Sequence, residues 1–176
     1  DDPESEQTFY NDVLGLEYEV KGEAPPWEGL AKRAKENKYP QGIIPPNALV
    51  LVITVDVQGD RMEWLLSGFG PNLQRFNIQH GVLEFPISDE RAWAGLDGLL
   101  KRKWKNFLGR EIQADMLGID MGHEANDVKQ WARRHPVERV IVLKGRADGS
   151  PIWPQIEKSE SGKAEKKSKR FWNVGT

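Results

Sequence analysis

The stretch Ala48-Leu-Val-Leu-Val-Ile-Thr-Val55 is apolar at every position but one, and it stops at Asp56. A β-branched run that is apolar on both alternating faces reads as a central strand covered on both sides. The rest of the fold is built around it. Gly59-Asp60 makes a turn and Arg61 to Phe69 resumes as a strand, so the pattern predicts a hairpin, with a third strand over Leu73 to His80 that continues or exits through Gly81 to Phe85. Ser88 is placed to cap a helix whose first turn holds Asp89 and Glu90. Its apolar face is Trp93, Leu96, Leu100, Trp104 and Phe107. A fourth strand follows over Ile112 to Ile119, closed by Asp120. A second helix runs from about Glu124 to Arg134, and a fifth strand spans Arg139 to Leu143. Strands joined by short turns are antiparallel and strands joined through helices are parallel neighbours. The expected class is α/β, with a mixed sheet of three antiparallel strands followed by helix, strand, helix, strand.

The flanks differ from this centre. Residues 1–40 hold ten acidic and five basic side chains and are broken by Pro25-Pro26 and Pro40. One short helical stretch, Trp27 to Lys38, keeps Trp27, Leu30 and Ala34 on one face. Residues 1–47 therefore read as an arm or linker and 48–176 as the domain. Within the latter, 146–169 is expected to be a mobile basic insertion, because Lys158 to Lys169 has no apolar side chain larger than Ala164. Among the seven tryptophans, Trp93, Trp104 and Trp131 fit helix faces of a core and Trp64 fits the hairpin. Trp153 and Trp172 flank the basic segment, where they are placed to stack on or brace against DNA.

Composition excludes several functions. With no cysteine among 176 residues, disulfides, thiol catalysis and cysteine-bound zinc are impossible. No apolar run reaches the roughly 18 to 20 residues that cross a bilayer, and the first residues lack the order of a signal peptide. A soluble, cytoplasmic protein with no membrane partner is expected. A net charge of −2 does not mark a general nucleic-acid binder, although a local patch remains compatible with it.

Two apolar strands end on an aspartate, Asp56 and Asp120. In sheets with parallel strands ligands collect beyond the carboxyl ends. If the two strands are adjacent, these carboxylates face each other and repel, which raises one pKa or calls for a cation between them. Oxygen donors select Mg²⁺ or Mn²⁺. The plainer reading is that each Asp begins a turn. Further candidates are Glu63, directed to a metal or to solvent; His123, three residues past Asp120; and Asp127 on the next helix. Lys144 at a strand end, together with Lys166, Lys167, Lys169 and Arg170 in the tail, forms the candidate DNA-binding set.

These strings also carry a resemblance. Val55-Asp-Val-Gln-Gly-Asp-Arg-Met-Glu-Trp64, Gly118-Ile-Asp-Met-Gly122 and Val142-Leu-Lys-Gly145 resemble the nuclease domain of lambda-type phage terminase large subunits. Upstream, Phe9 to Gly15 and Trp27-Glu-Gly-Leu30 are similar to the segment that joins that family's ATPase motor to its nuclease. The resemblance implies a ribonuclease H-like fold and two divalent metals, Mg²⁺ or Mn²⁺, held by acids at Asp56 and Asp120. It also implies an endonuclease that cuts concatemeric double-stranded viral DNA in the host cytoplasm. Its implied partners are an ATPase domain of the same full-length chain, the terminase small subunit and the portal or procapsid. No Gly-x-x-x-x-Gly-Lys-Ser/Thr motif is present, so the chain has no phosphate-cradling loop of its own. Folds of this kind add another acid from a later segment, expected beyond Thr176 or else at Glu63 or Asp127. A resolvase- or integrase-type nuclease, and a noncatalytic DNA-docking module, are the alternatives.

Overall fold

The structure is a computed structural model that describes residues 9, 13, 27–36, 39–147, 151–158 and 165–175. The chain falls into two compact units, Asp1–Lys38 and Tyr39–Thr176. In the first, helix α1 (Trp27–Lys35) buries none of its residues, and Trp27 and Leu30 are exposed. Residues 39–47 group with the second unit. Ile44, only 2% exposed, exchanges backbone hydrogen bonds with Lys105 and Phe107.

That second unit is built on a seven-stranded mixed sheet. Strands β1 (Val50–Val57), β2 (Met62–Phe69) and β3 (Arg75–Leu83) form an antiparallel meander, with a register shift between Leu66 and Ser67. On the other side of β1 lie β6 (Met116–Asp120) and then β7 (Val140–Arg146), both parallel to it. Strand β9 (Glu165–Gly175) continues parallel to β7, and β8 (Trp153–Lys158) closes the edge antiparallel to β9. The spatial order is β3-β2-β1-β6-β7-β9-β8. Strands β4 (Lys103–Lys105) and β5 (Glu111–Gln113) form a separate ribbon.

Helices α2 (Glu90–Lys101) and α3 (Ala125–Ala132) touch each other, since the Trp131 indole N–H donates to Asp97 Oδ1 at 2.9 Å. Against them are packed Ile53, Val55, Leu117, Ile119, Val140 and Val142, none more than 3% exposed. Alternation along β1 sends Val50, Thr54 and Asp56 to the opposite face, where all three are exposed. The expected strand covered on both sides is therefore covered firmly on one. Its open face is the one that carries the aspartate.

Three local expectations need correction. The first helix ends at Lys101, and its cap is Asp89, not Ser88. Beyond it Arg102 is extended, and Trp104 lies on β4, buried by strand alternation with its indole donating to Gln79 at 2.7 Å. Phe107 is exposed in the ribbon's turn, where Asn106 Oδ1 accepts from Leu108 and Arg110 and Gly109 adopts φ 78°. Second, the run Ile112 to Ile119 is split between β5 and β6. At the break, Asp115 Oδ2 accepts from the Leu51 N–H at 2.7 Å and so ties the start of β6 to β1. Third, the range 146–169 supplies β8 and the beginning of β9; residues 148–150 and 159–164 lie outside the described residues. No helix among the described residues is long and apolar enough to cross a membrane.

Candidate active site

The parallel register of β1 and β6 matches Val55 with Ile119, and the next residues on each strand are Asp56 and Asp120. Adjacent strands run about 5 Å apart, so the two carboxylates emerge side by side on the open face. Across the antiparallel pair, Glu63 stands directly opposite Asp56. All three acids line one cleft of about 670 Å³, whose other walls include Thr54, Asn77, His80, Leu143 and Val174. The sheet thus gathers acids from three neighbouring strands at the carboxyl end of β1 and β6.

Neighbours orient these acids. The Gln58 amide donates to Asp56 Oδ2 at 2.5 Å, and the Gly122 N–H donates to Asp120 Oδ2 at 2.9 Å. Each aspartate keeps its Oδ1 without a protein donor among the described residues. A Cβ on Gly122 would sit 2.8 Å from Asp120 Oδ2, so a larger residue there would turn the carboxylate away from this position. Glu63 accepts from the Arg61 Nε at 3.0 Å. That bond, with the charges of Asp60 and Glu63 beside it, raises the Arg61 pKa further above its ordinary value. Arg61 is thus the cation that offsets part of the cleft's negative charge.

This donor set fits a hard divalent cation: all oxygen, two carboxylates each with one oxygen already oriented, and a third carboxylate across the strand pair. The acids Asp56, Asp120 and Glu63 are the residues that would hold it. As they stand, however, no group of three acidic or histidine side chains among the described residues is close enough together to hold a metal ion.

The remaining candidates separate from this cleft. His123 is exposed beside the β1–β2 turn, its Nε2 3.9 Å from where a Cβ on Gly59 would be and 3.9 Å from Glu124. Asp127 is in the first turn of α3, on the helix-covered side, and does not line the cleft. Lys144 alternates with Leu143 on β7 and so faces the helices. Lys167 and Lys169 are exposed near the start of β9. Trp172 pairs with Leu143, itself the partner of Asp120, so Lys167 is five residues, on the order of 16 Å, back along the strand from the acids' level. Lys166 pairs through its backbone with Glu157, and its side chain is outside the described residues. Arg170 donates to the carbonyls of Ala132, His135 and Val140, which satisfies the C-terminal end of α3. His80, Asn77 and Thr54 are the cleft residues that sequence reasoning missed. Thr54, Leu65 and His80 form one row across β1, β2 and β3, a signal visible only after the hairpins are put in register.

The chain is 28% identical over 149 residues to the large terminase subunit of Escherichia phage lambda, covering 83% of this chain and 23% of that one. It is 25% identical over 154 residues to the large terminase subunit of Enterobacteria phage P21, covering 86% and 24% respectively. The chain thus spans about a quarter of the length of these relatives. No solved structure matches it. The family described as terminase large subunit gpA, endonuclease domain, matches residues 1–176, and the chain belongs to that family.

Proposed function

We propose that this chain is a metal-dependent endonuclease domain that hydrolyses phosphodiester bonds of double-stranded viral DNA during packaging, by a two-metal mechanism on a ribonuclease H-like sheet. The observation that carries the reading is the emergence of Asp56 and Asp120 side by side at the carboxyl ends of neighbouring parallel strands, on the face opposite α2 and α3, with Glu63 opposite Asp56. The order β3-β2-β1-β6-β7, antiparallel then parallel, supports the ribonuclease H-like comparison; the β4–β5 ribbon and the β8–β9 edge are additions to it. Mg²⁺ or Mn²⁺ bound there would neutralise charge developing on the phosphate and acidify an attacking water.

The chain's own residues prepare for that. Gln58 and the Gly122 N–H fix the carboxylate planes, so less ordering remains to be done when substrate arrives. Glu63 supplies the further acid once a cation competes with Arg61 for it. Leu143 and Val174 give the cleft an apolar wall that limits water around the reacting phosphate. In the full-length protein the partners are an ATPase domain, the small terminase subunit and the portal or procapsid, in the host cytoplasm.

The test is Mn²⁺-dependent nicking of supercoiled plasmid by Asp56→Asn and Asp120→Asn, with calorimetric Mn²⁺ titration alongside. Cleavage is expected to fall by about two to three orders of magnitude in each variant, with metal affinity reduced and the fold intact. Wild-type cleavage in both variants would overturn the assignment. Wild-type protein that binds DNA but never nicks it would leave a docking module in its place.

A further inference from the structure

The acidic cleft has a second end. Its acids stand where β1 and β6 finish, whereas Thr54, Leu65, Asn77 and His80 line it farther back along the sheet and out to β3. Among the described residues the carboxylates that line the cleft are Asp56, Glu63 and Asp120, so this far end has none. Asn77 and His80 are exposed, and neither side chain has a hydrogen bond or ion pair among the described residues. Their N–H groups are therefore available to a ligand.

That both residues face the cleft is the work of a bulge. Residues three apart on a regular strand face opposite sides. On β3, however, Leu66 pairs with Gln79 and Ser67 with Asn77, which leaves Ile78 as the extra residue. The bulge is held in place from several directions. Ile78 is 1% exposed, its carbonyl accepts from the Gly42 N–H at 2.8 Å, and the neighbouring Gln79 Oε1 accepts from the Trp104 indole at 2.7 Å. Without the extra residue, Asn77 would turn away from the cleft that His80 lines. Bulges recur beside active sites, where they re-aim a side chain.

Distance decides what the pair can touch. His80 is opposite Leu65, two strands from β1 and two residues back from the level of Asp56, on the order of 12 Å between backbones. Side chains rising from one face keep that offset at their tips. The imidazole is thus too far away to share a metal ion with Asp56 or to touch the phosphate being cut. An imidazole keeps an N–H donor in either protonation state, and a carboxamide carries N–H donors too. Such groups hold phosphate oxygens without reading sequence.

We infer that Asn77 and His80 bind the DNA backbone next to the scissile phosphate, donating hydrogen bonds to phosphate oxygens of the strand held at Asp56 and Asp120. This rests on the nuclease reading above. Leu65 lies between the two ends as an apolar floor. The contact offsets part of the acids' repulsion for DNA and fixes the direction in which the strand leaves them, over β2 toward β3.

The experiment uses the full 176-residue chain. Mn²⁺-dependent plasmid nicking gives KM and kcat, anisotropy of a short fluorescein-labelled duplex in EDTA gives Kd, and calorimetry gives Mn²⁺ affinity. Asn77→Ala and His80→Ala are each expected to raise KM and Kd about fivefold, and the double variant about twentyfold, with kcat and Mn²⁺ affinity unchanged. His80→Gln keeps an N–H donor and is expected to recover most of what His80→Ala loses. Gln74→Ala, exposed in the turn before β3, is the control and should match wild type. Circular dichroism and thermal melting check the fold. Wild-type KM and Kd in the double variant overturn the contact. So does a His80→Ala protein that loses Mn²⁺ affinity, or that loses kcat at unchanged KM, because either result puts His80 at the metals or the reacting atoms. The nuclease reading fails separately: if Asp56→Asn still cuts while the double variant loses affinity, that reading falls and the backbone contact stands.

Discussion

The two faces of the central sheet differ in kind although the same strands make both. On β1, Ile53 and Val55 are 0% and 3% exposed beneath α2 and α3, whereas Thr54 and Asp56, one residue along, are open to solvent. On β6, Leu117 and Ile119 are fully buried while Asp120 reaches the cleft. The helix-covered face is apolar where Ile53, Val55, Leu117 and Ile119 lie, and beside it the Trp131 indole ties the two helices together by donating to Asp97. The open face carries charge with little packing beneath it. Strand alternation therefore lets stability and chemistry share a backbone without sharing side chains, and substitutions on the two faces should separate cleanly in their effects.

The strongest way to break this comparison is on the covered face. Trp131 is 0% exposed, and its ring lies 4.7 Å from that of His135. Trp131→Ala should lower unfolding free energy by about 3–5 kcal/mol, through the cavity it leaves. Urea denaturation reads this, while the remaining folded fraction keeps its Mn²⁺ affinity. Asp56→Asn, exposed on the other face, should shift stability by no more than about 0.5 kcal/mol in the same assay. Similar losses for the two would show that the faces are not independent.

Two glycines sharpen the contrast with the same small change. A Cβ on Gly81 would approach Trp64 to 2.6 Å, within the hairpin's packed face. Gly81→Ala should cost about 1–3 kcal/mol of stability and leave metal binding alone. A Cβ on Gly122 meets only the Asp120 carboxylate, a group free to rotate. Gly122→Ala should therefore melt close to wild type yet bind Mn²⁺ about 10- to 100-fold more weakly by calorimetry, because Asp120 loses its orientation. A Gly122→Ala protein with wild-type Mn²⁺ affinity would mean that this orientation does not matter.

Much of the open face was legible in the sequence because it depends on local facts. An apolar run ending in Asp, a short turn and a second run suffice to place Asp56 and Glu63 as neighbours. The helix before β6 marks it as a strand of the same sheet, whereas its place parallel beside β1 was only a condition until the register was seen. What stayed hidden depends on pairing or on competition between periods. Trp104 and Phe107 fit a helical spacing by coincidence, and the Asn106-to-Gly109 turn that ends the pattern was the stronger local signal. His80 and Asn77 reach the cleft only through β3, whose register shifts beside Ser67. The lysine-rich opening of β9 hides a strand because strand order there comes from β7 and β8, not from its own side chains. Arg170 looked like one more exposed cation, and nothing local reveals that it binds the end of a helix 38 residues earlier.

The smallest expected effect lies at the start of α2, where the covered face begins. Asp89 accepts from the Arg91 N–H at 2.8 Å and pairs with the Arg91 guanidinium at 2.7 Å. The Arg91 side chain first, and its backbone N–H second, hold the Asp89 pKa at about 2, below the ordinary 3.8. A carboxylate with a depressed folded pKa releases its proton more readily in the folded state, so stability rises with pH through this window. Its contribution is complete above pH 3.8 and is lost as the pH falls through about 2. Asp89→Asn keeps a capping oxygen but loses the charge, and Asp89→Ala loses both. At pH 7 the Asn variant should melt slightly below wild type, and the Ala variant lower still, by about 2–4 °C. Scanning calorimetry from pH 7 to pH 2 should show the gap between wild type and Asn closing below pH 3.8, with little change above it. The pair is at the surface, so salt should narrow the gap at pH 7 as well. A gap that persists unchanged to pH 2 would mean that the cap works through its oxygen alone, and that the Arg91 pairing contributes nothing to the helix on which the covered face depends.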